Sequence, residues 1–186
     1  MSFLSSTAFQ PRMWNNRNDD LQNIPGLYGS VSGASFITED CSAGFACNKG
    51  AHIAGGGYQM TVAADGTGDV YFCNQGDVNR VAFGASNLFA VGVETLGLGA
   101  PAGKLATYTK AIPGETYAFG PGNFSTIVTT TNKYATVSDG LLVGSNSAPS
   151  DAGTLYFELD AGLGIDVFTE ANYAAFSRYN MLCKRV

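Results

Sequence analysis

From Ser30 onward, hydrophobic and polar positions alternate in short runs, and each run is closed by a turn containing glycine, proline or aspartate. A period of two places successive side chains on opposite faces of an extended chain, so the pattern predicts many short β-strands. Tyr58, Met60 and Val62 alternate with Gln59 and Thr61, "ADGTGD" turns the chain, and Val70 to Cys73 returns, which predicts a hairpin. "NLFAVGVETL" sets Phe89, Val91 and Val93 against Ala90 and Gly92, so one face packs and the other admits a close neighbour. "KLATYTK" and "GTLYFELD" repeat the alternation, and "KYATVSDGLLVG" predicts a second hairpin turning at Ser138-Asp139-Gly140. Pro113-Gly114 and Pro121-Gly122 suit the central positions of type II turns and leave room for only a short strand, Glu115 to Phe119, between them. "TEANYAAFSR" is the one helical candidate, with Thr169 as its cap. The fold class is therefore mainly β, a small barrel or sandwich of short antiparallel strands.

The first thirty residues break the alternation. "FQPRMWNNRNDDLQNIPGLYGS" carries amides, two arginines, two prolines and the only tryptophan, with no steady period. A segment of this kind is expected to be an extended N-terminal arm that orders against something else. The division that follows is an arm over residues 1–30 and a β-rich body over 31–186, the body being one unit or two small lobes, about 31–110 and 111–186.

Composition alters this picture mainly at the surface. Charged residues make up 13% of the chain, about half the usual share, so the surface is built from Ser, Thr, Asn, Gly and backbone. The net charge of −5 and pI near 4.6, with ten scattered basic residues, argue against a nucleic-acid partner, which needs clustered Lys and Arg. No apolar run approaches the roughly 20 residues that span a bilayer, and "MSFLSSTAF" lacks the basic and apolar regions of a signal peptide. The expectation is a soluble chain with no membrane partner.

The densest candidate chemistry is "CSAGFACNKGAH", which holds Cys41, Cys47 and the only histidine, His52. A structural zinc site wants paired ligands two to four residues apart, whereas Cys41 and Cys47 are farther apart and Cys73 and Cys183 stand alone. No metal site is expected, and the four cysteines read as free thiols used as small hydrophobes. A nucleophile activated by His52 would need a third orienting group, and no G-x-S-x-G occurs. Glu94, Glu115, Glu158 and Asp160 lie near predicted strands and could supply a carboxylate pair, but fifteen acids produce such neighbours by accident. "DGTGD" lacks the spacing of a calcium loop and reads as a turn, and "GGG" at 55–57 matches no phosphate-binding pattern. Asn123-Phe124-Ser125 fits a glycosylation acceptor by pattern alone. No catalytic residue and no cofactor is expected, and the chain reads as a non-enzyme.

A β-rich surface poor in charge favours burying large areas against a partner, because desolvating charges at an interface is costly. In the succession of short strands and Gly/Pro turns from "NLFAVGVETLGLGAPAGKLATYTKAIPGETYAFGPGNF" through "KYATVSDGLLV" to "GTLYFELD", with an arm before it, the chain resembles the head decoration, or cement, proteins of tailed bacteriophages. The resemblance implies a structural virion protein on the capsid exterior, made in the host cytoplasm, that binds the major capsid protein, braces the shell and forms a homo-oligomer, with a trimer favoured. The arm would then be the capsid contact, with Phe9, Arg12, Trp14 and Arg17 as anchors, since Trp and Arg are the types most often found at binding hot spots. Alternatives are another phage structural subunit (spike, tail tube or baseplate) or a carbohydrate-binding β module that stacks sugars on Tyr58, Tyr71, Tyr108 and Tyr117.

Overall fold

The structure, a computed structural model, describes residues 9–12, 23–54, 56–74, 100–168 and 176–186. Among these residues it is almost entirely β, with fourteen strands. The first seven are β1 (Phe9–Arg12), β2 (Asn23–Ser32), β3 (Ser35–Thr38), β4 (Ala46–His52), β5 (Tyr58–Val62), β6 (Val70–Cys73) and β7 (Ala106–Lys110). The second seven are β8 (Thr116–Phe119), β9 (Phe124–Thr126), β10 (Tyr134–Ser138), β11 (Leu141–Ser145), β12 (Leu155–Leu159), β13 (Ile165–Phe168) and β14 (Phe176–Arg185).

Strands β2, β5, β4, β6 and β7 pair in that order, and β7 returns to β2, so five strands close into a small barrel. Closure removes the open edges that a flat sheet would leave. Strand β2 pairs with β7 through Asn23–Gly26, with β5 through Gly26–Tyr28, and with β3 through Gly29–Ser32, so its far end leaves the barrel as a two-stranded ribbon. The other sheet runs β1-β8-β14-β12-β10-β11-β9 and curls, and β13 extends β12 along β14. Two pairings, β2 with β5 and β9 with β11, are parallel, where only antiparallel pairs were expected.

The two sheets share one core. Ala46, Ala63, Val70 and Phe72 from the barrel pack with Tyr117, Phe119, Leu142, Leu155, Phe157 and Met181 from the curled sheet. Backbone bonds stitch the seam: Ala46 N–H donates to Gly140 O at 2.8 Å and Gly140 N–H to Ala63 O at 2.8 Å. Gly140 cannot carry a side chain there, since its φ is +79° and a Cβ would fall 2.0 Å from the Phe45 ring. The predicted Asp139-Gly140 turn thus closes the β10–β11 hairpin and forms part of the seam, with Asp139 also at positive φ.

Several expectations are corrected. Asn23–Ser30, assigned to the arm, form most of β2. Its glycines hid the strand because they serve packing: a Cβ on Gly26 would lie 2.4 Å from Met60 Cγ. The expected β5–β6 hairpin does not form, because β4 lies between the two strands and pairs with both. Phe176–Arg178, expected at the end of a helix, belong to β14, and residues 169–175 lie outside the described residues, as does "NLFAVGVETL". The Gly114 turn has the positive φ of a type II turn (96°), but Pro121–Asn123 forms a single 3-10 turn instead. Gly56 and Gly57, both at positive φ, lie in the connection from β4 to β5, after a register shift in β4 between Lys49 and His52.

Candidate functional site

The stretch from Cys41 to His52 separates its chemistry. Cys47, on β4, and Cys73, at the end of β6, face the barrel lumen, and Cys41 joins them from a loop held by two backbone bonds to Ala100 at 2.8 and 2.7 Å. All three are buried free thiols, packed with Met60, Tyr71, Ala106 and Tyr108. The Cys73 thiol lies 4.0 Å from Cys41 O. The Cys41 thiol is held well above its ordinary pKa, first by the neighbouring Cys47 thiol and then by burial, against the opposing influence of Cys73 and Tyr108 beside it. Burial likewise pushes the Tyr108 hydroxyl upward, and the Cys41 thiol lies beside it without meeting the geometry of a full hydrogen bond. A protonated, enclosed thiol such as that of Cys41 is a poor nucleophile and a poor ligand.

His52 lies at the far end of β4, paired with Tyr58. It is exposed and meets the Tyr58 ring edge-on at 5.4 Å, while Lys49 Nζ sits 4.8 Å from the same ring. No cysteine shares its surroundings, so the only histidine is not paired with a sulfur nucleophile. Among the described residues no group of three or more His, Cys, Asp or Glu is arranged to hold a metal ion.

The carboxylates are tied into structure. Asp65 Oδ1 accepts from Thr67 N–H at 2.8 Å and from the Thr67 hydroxyl at 2.6 Å, which forms the "DGTGD" turn and holds its carboxyl below the usual range. Asp160 Oδ1 accepts from Gly162 and Leu163 N–H groups at 2.8 and 2.9 Å, and its Oδ2 takes the Thr116 hydroxyl at 3.2 Å. Glu158 receives Lys133 at 2.8 Å and Lys184 at 2.6 Å, one on each oxygen, and these bonds hold its carboxyl low. Glu94 lies outside the described residues. Asn123, the glycosylation pattern residue, is buried and donates from Nδ2 to Ala43 O at 2.6 Å, so it is inaccessible in the folded chain.

The arm residues divide. Phe9 and Arg12 are the ends of β1, which adds antiparallel to the edge of the curled sheet with Phe9 opposite Phe119 and Arg12 opposite Thr116. Trp14 and Arg17 lie outside the described residues. Of the tyrosines considered for sugar stacking, Tyr71, Tyr108 and Tyr117 are core residues and present no ring to solvent, and only Tyr58 is partly exposed. Their strands are buried on both faces, so alternation did not mean an exposed face.

Two surfaces were missed. On the outer face of the curled sheet, the half-buried rings of Tyr134 and Tyr156 lie 6.3 Å apart beside the Lys133–Glu158–Lys184 ion pairs. The shared parity of Tyr134 in "KYATV" with Tyr156 and Glu158 in "LYFEL" was the available signal. On the ribbon, Val31 and Ile37 are 60% and 52% exposed, and "VSGASFI" with its Gly33 turn was its signal. Among the described residues no helix is long and apolar enough to cross a membrane. No protein-family model, curated protein or solved structure matches this chain.

Proposed function

We propose that this chain is a structural virion protein that binds the outer surface of a phage capsid and stabilises the shell as a homo-oligomer. The observation that carries the reading is the distribution of exposed apolar side chains over a surface short of charge: Val31, Ile37, Leu105 and Val167 stand out in solvent although the aromatic core is complete without them. Large exposed apolar groups on a charge-poor surface favour association with another protein. The docked strand β1 adds a second support, because a segment that completes a sheet edge uses the pairing by which arms attach to partner sheets.

The test is co-sedimentation with expanded capsids that lack the protein. Replacing Phe9, Arg12, Trp14 and Arg17 together by Ala should reduce capsid binding at least tenfold with the far-ultraviolet circular dichroism unchanged. Deleting residues 1–28 would not serve, since it removes Asn23–Tyr28, the whole part of β2 that pairs within the barrel. Undiminished attachment of the fourfold variant would end the assignment of the arm as the contact, and no attachment of the parent chain would end the capsid reading.

A second reading, a carbohydrate-binding face, is favoured by the Tyr134–Tyr156 pair with its charged neighbours. A glycan array with the parent chain and Tyr156→Ala separates the two. Stoichiometry in the particle separates a decoration subunit from a spike, tail-tube or baseplate subunit.

A further inference from the structure

We infer that the β2–β3 ribbon is a self-association surface, on which β3 pairs antiparallel with β3 of a second copy. The inference rests on the reading of the chain as an assembly protein, and it names the surface that the assembly uses.

The geometry of the ribbon determines which groups are free. Glu39 N–H donates to Tyr28 O at 3.1 Å, and the register continues Gly29 opposite Thr38, Ser30 opposite Ile37, Val31 opposite Phe36 and Ser32 opposite Ser35. Hydrogen-bonded and non-hydrogen-bonded pairs alternate in an antiparallel ladder. Since Tyr28 and Glu39 form a bonded pair, Ser30/Ile37 and Ser32/Ser35 are bonded too, and Phe36 and Thr38 turn their N–H and C=O groups away from β2. No other described strand pairs with that edge.

Nothing in "SFIT" protects the edge. It has no charge and no proline, whereas β1 at the edge of the other sheet carries Pro11 and Arg12, and β9 at the opposite edge is only three residues long. A two-stranded ribbon is marginal by itself in water and gains from a further strand. Val31 and Ile37 stand on opposite faces of this one and are among its exposed side chains.

A second copy of the chain fits this edge. With Ile37 on a two-fold axis, Phe36 lies opposite Thr38 of the other copy, and the outward groups of these residues exchange four hydrogen bonds. The two Ile37 side chains then meet across a close, non-hydrogen-bonded pair. Glu39 falls opposite Ser35 of the other copy and Asp40 opposite Ala34, so no acid faces an acid even though the chain carries a net charge of −5. Both acids are also drawn toward their own chain: Glu39 accepts from the Ser30 hydroxyl, and Asp40 Oδ1 accepts from Ala102 N–H at 2.7 Å. Such an interface is isologous and closes at two copies.

Sedimentation velocity on the purified full chain over a range of concentrations tests the inference without any capsid. The expected result is a two-copy species that dissociates on dilution. Ile37→Asp, at an exposed position, should weaken it at least tenfold, and Thr38→Pro, which removes an outward N–H that β2 does not use, should do the same. Val167→Asp, an exposed apolar residue on β13, should leave it unchanged. A chain that stays monomeric at high concentration, a three-copy species, or equal association by parent and Ile37→Asp would each overturn the inference. Capsid co-sedimentation of Ile37→Asp is read separately: retained binding with lost pairing keeps the capsid reading, while pairing without capsid binding keeps only the surface assigned above.

Discussion

The barrel and the curled sheet fill their interiors in opposite ways. The barrel lumen holds three thiols, Met60, Ala106 and Tyr108, and its wall approaches so closely that Gly26 has no room for a Cβ beside Met60 and Tyr108. The curled sheet covers its inner face with rings: Phe72 meets Phe119 at 5.0 Å, Phe157 at 5.6 Å and Tyr117 at 6.2 Å, mostly edge to face, and Phe124 meets Tyr179 at 5.2 Å. A five-stranded barrel is narrow, so small or unbranched side chains surround its two rings, Tyr71 and Tyr108, whereas an open sheet packing on the outside of that barrel leaves a thick layer for aromatics. Stability is therefore expected to be concentrated in the aromatic layer, and tolerance of added volume to be lowest in the barrel.

The largest effect should come from the side chain that belongs to both regions. Phe72 lies on barrel strand β6 yet stacks in the aromatic layer. Phe72→Ala should cost about 3–5 kcal/mol in urea unfolding, and barrel and sheet should melt together. Separate transitions in that variant would show that the seam does not couple them.

Next in size is an overpacking test of the barrel. Gly26→Ala places a Cβ 2.4 Å from Met60 Cγ and 2.9 Å from Tyr108 Cδ2, which should cost about 1–3 kcal/mol. The added volume should be accommodated when Met60 is shortened as well, so Gly26→Ala should cost less in a Met60→Ala background than alone. Equal costs in both backgrounds would mean that the lumen is not the constraint.

Alkaline pH sharpens the contrast through ionisation. Cys183, in the sheet core, is pushed up by burial from 9.0 to about 12, and Tyr28, against the barrel core, from 10.0 to about 12, again chiefly by burial. A folded-state pKa above the unfolded value means that the stabilisation is complete below the unfolded pKa and is lost as pH rises through the folded one. The contribution of Cys183 should thus be flat below pH 9 and fall between pH 9 and 12, by up to about 1.4 kcal/mol per pH unit, while that of the half-buried Tyr28 falls above pH 10 by less, because solvent screens it. Cys183→Ala should reduce the slope of thermal stability against pH in that window. An unchanged slope would place the alkaline loss in the barrel, where Cys41 and Tyr108 are also raised.

The smallest effect is expected on the outer face of the curled sheet. Glu158→Gln removes the charge shared by Lys133 and Lys184 and one of the two oxygens they use, and should cost no more than about 0.5 kcal/mol at neutral pH, since exposed ion pairs are screened. Because the Glu158 carboxyl is held low by those lysines, its contribution is present above the ordinary carboxylate value and is lost as pH falls from there through the lowered folded-state value. A larger loss would mean that the outer face supports the aromatic layer beneath it.

The legible parts of the fold were those set by neighbouring residues. The β10–β11 hairpin was readable because Asp139 and Gly140 can both adopt positive φ, and β7 and β12 were readable from their alternation. The cysteines read correctly as buried free thiols. Strand β2 was not readable, since Gly26 and Gly29 resemble turn residues until Met60 and Ile37 are seen against them. The tyrosines misled in the same way: alternation identifies a strand and leaves open whether its second face meets water or another layer.

The sequence by itself determined that the chain is mainly β, where many of its tight turns fall, that its surface is short of charge, and that its cysteines serve as small buried groups. Those properties depend on backbone preferences and on the polarity of single side chains, which act over a few residues. Only the tertiary structure decided that β4 would separate β5 from β6, that three thiols distant in sequence would share one lumen, that Phe72 would join two regions, and that Ile37 would be left on an open edge. Each of these follows from how strands far apart in sequence pair and which faces they then cover, a choice made by the fit of the whole core.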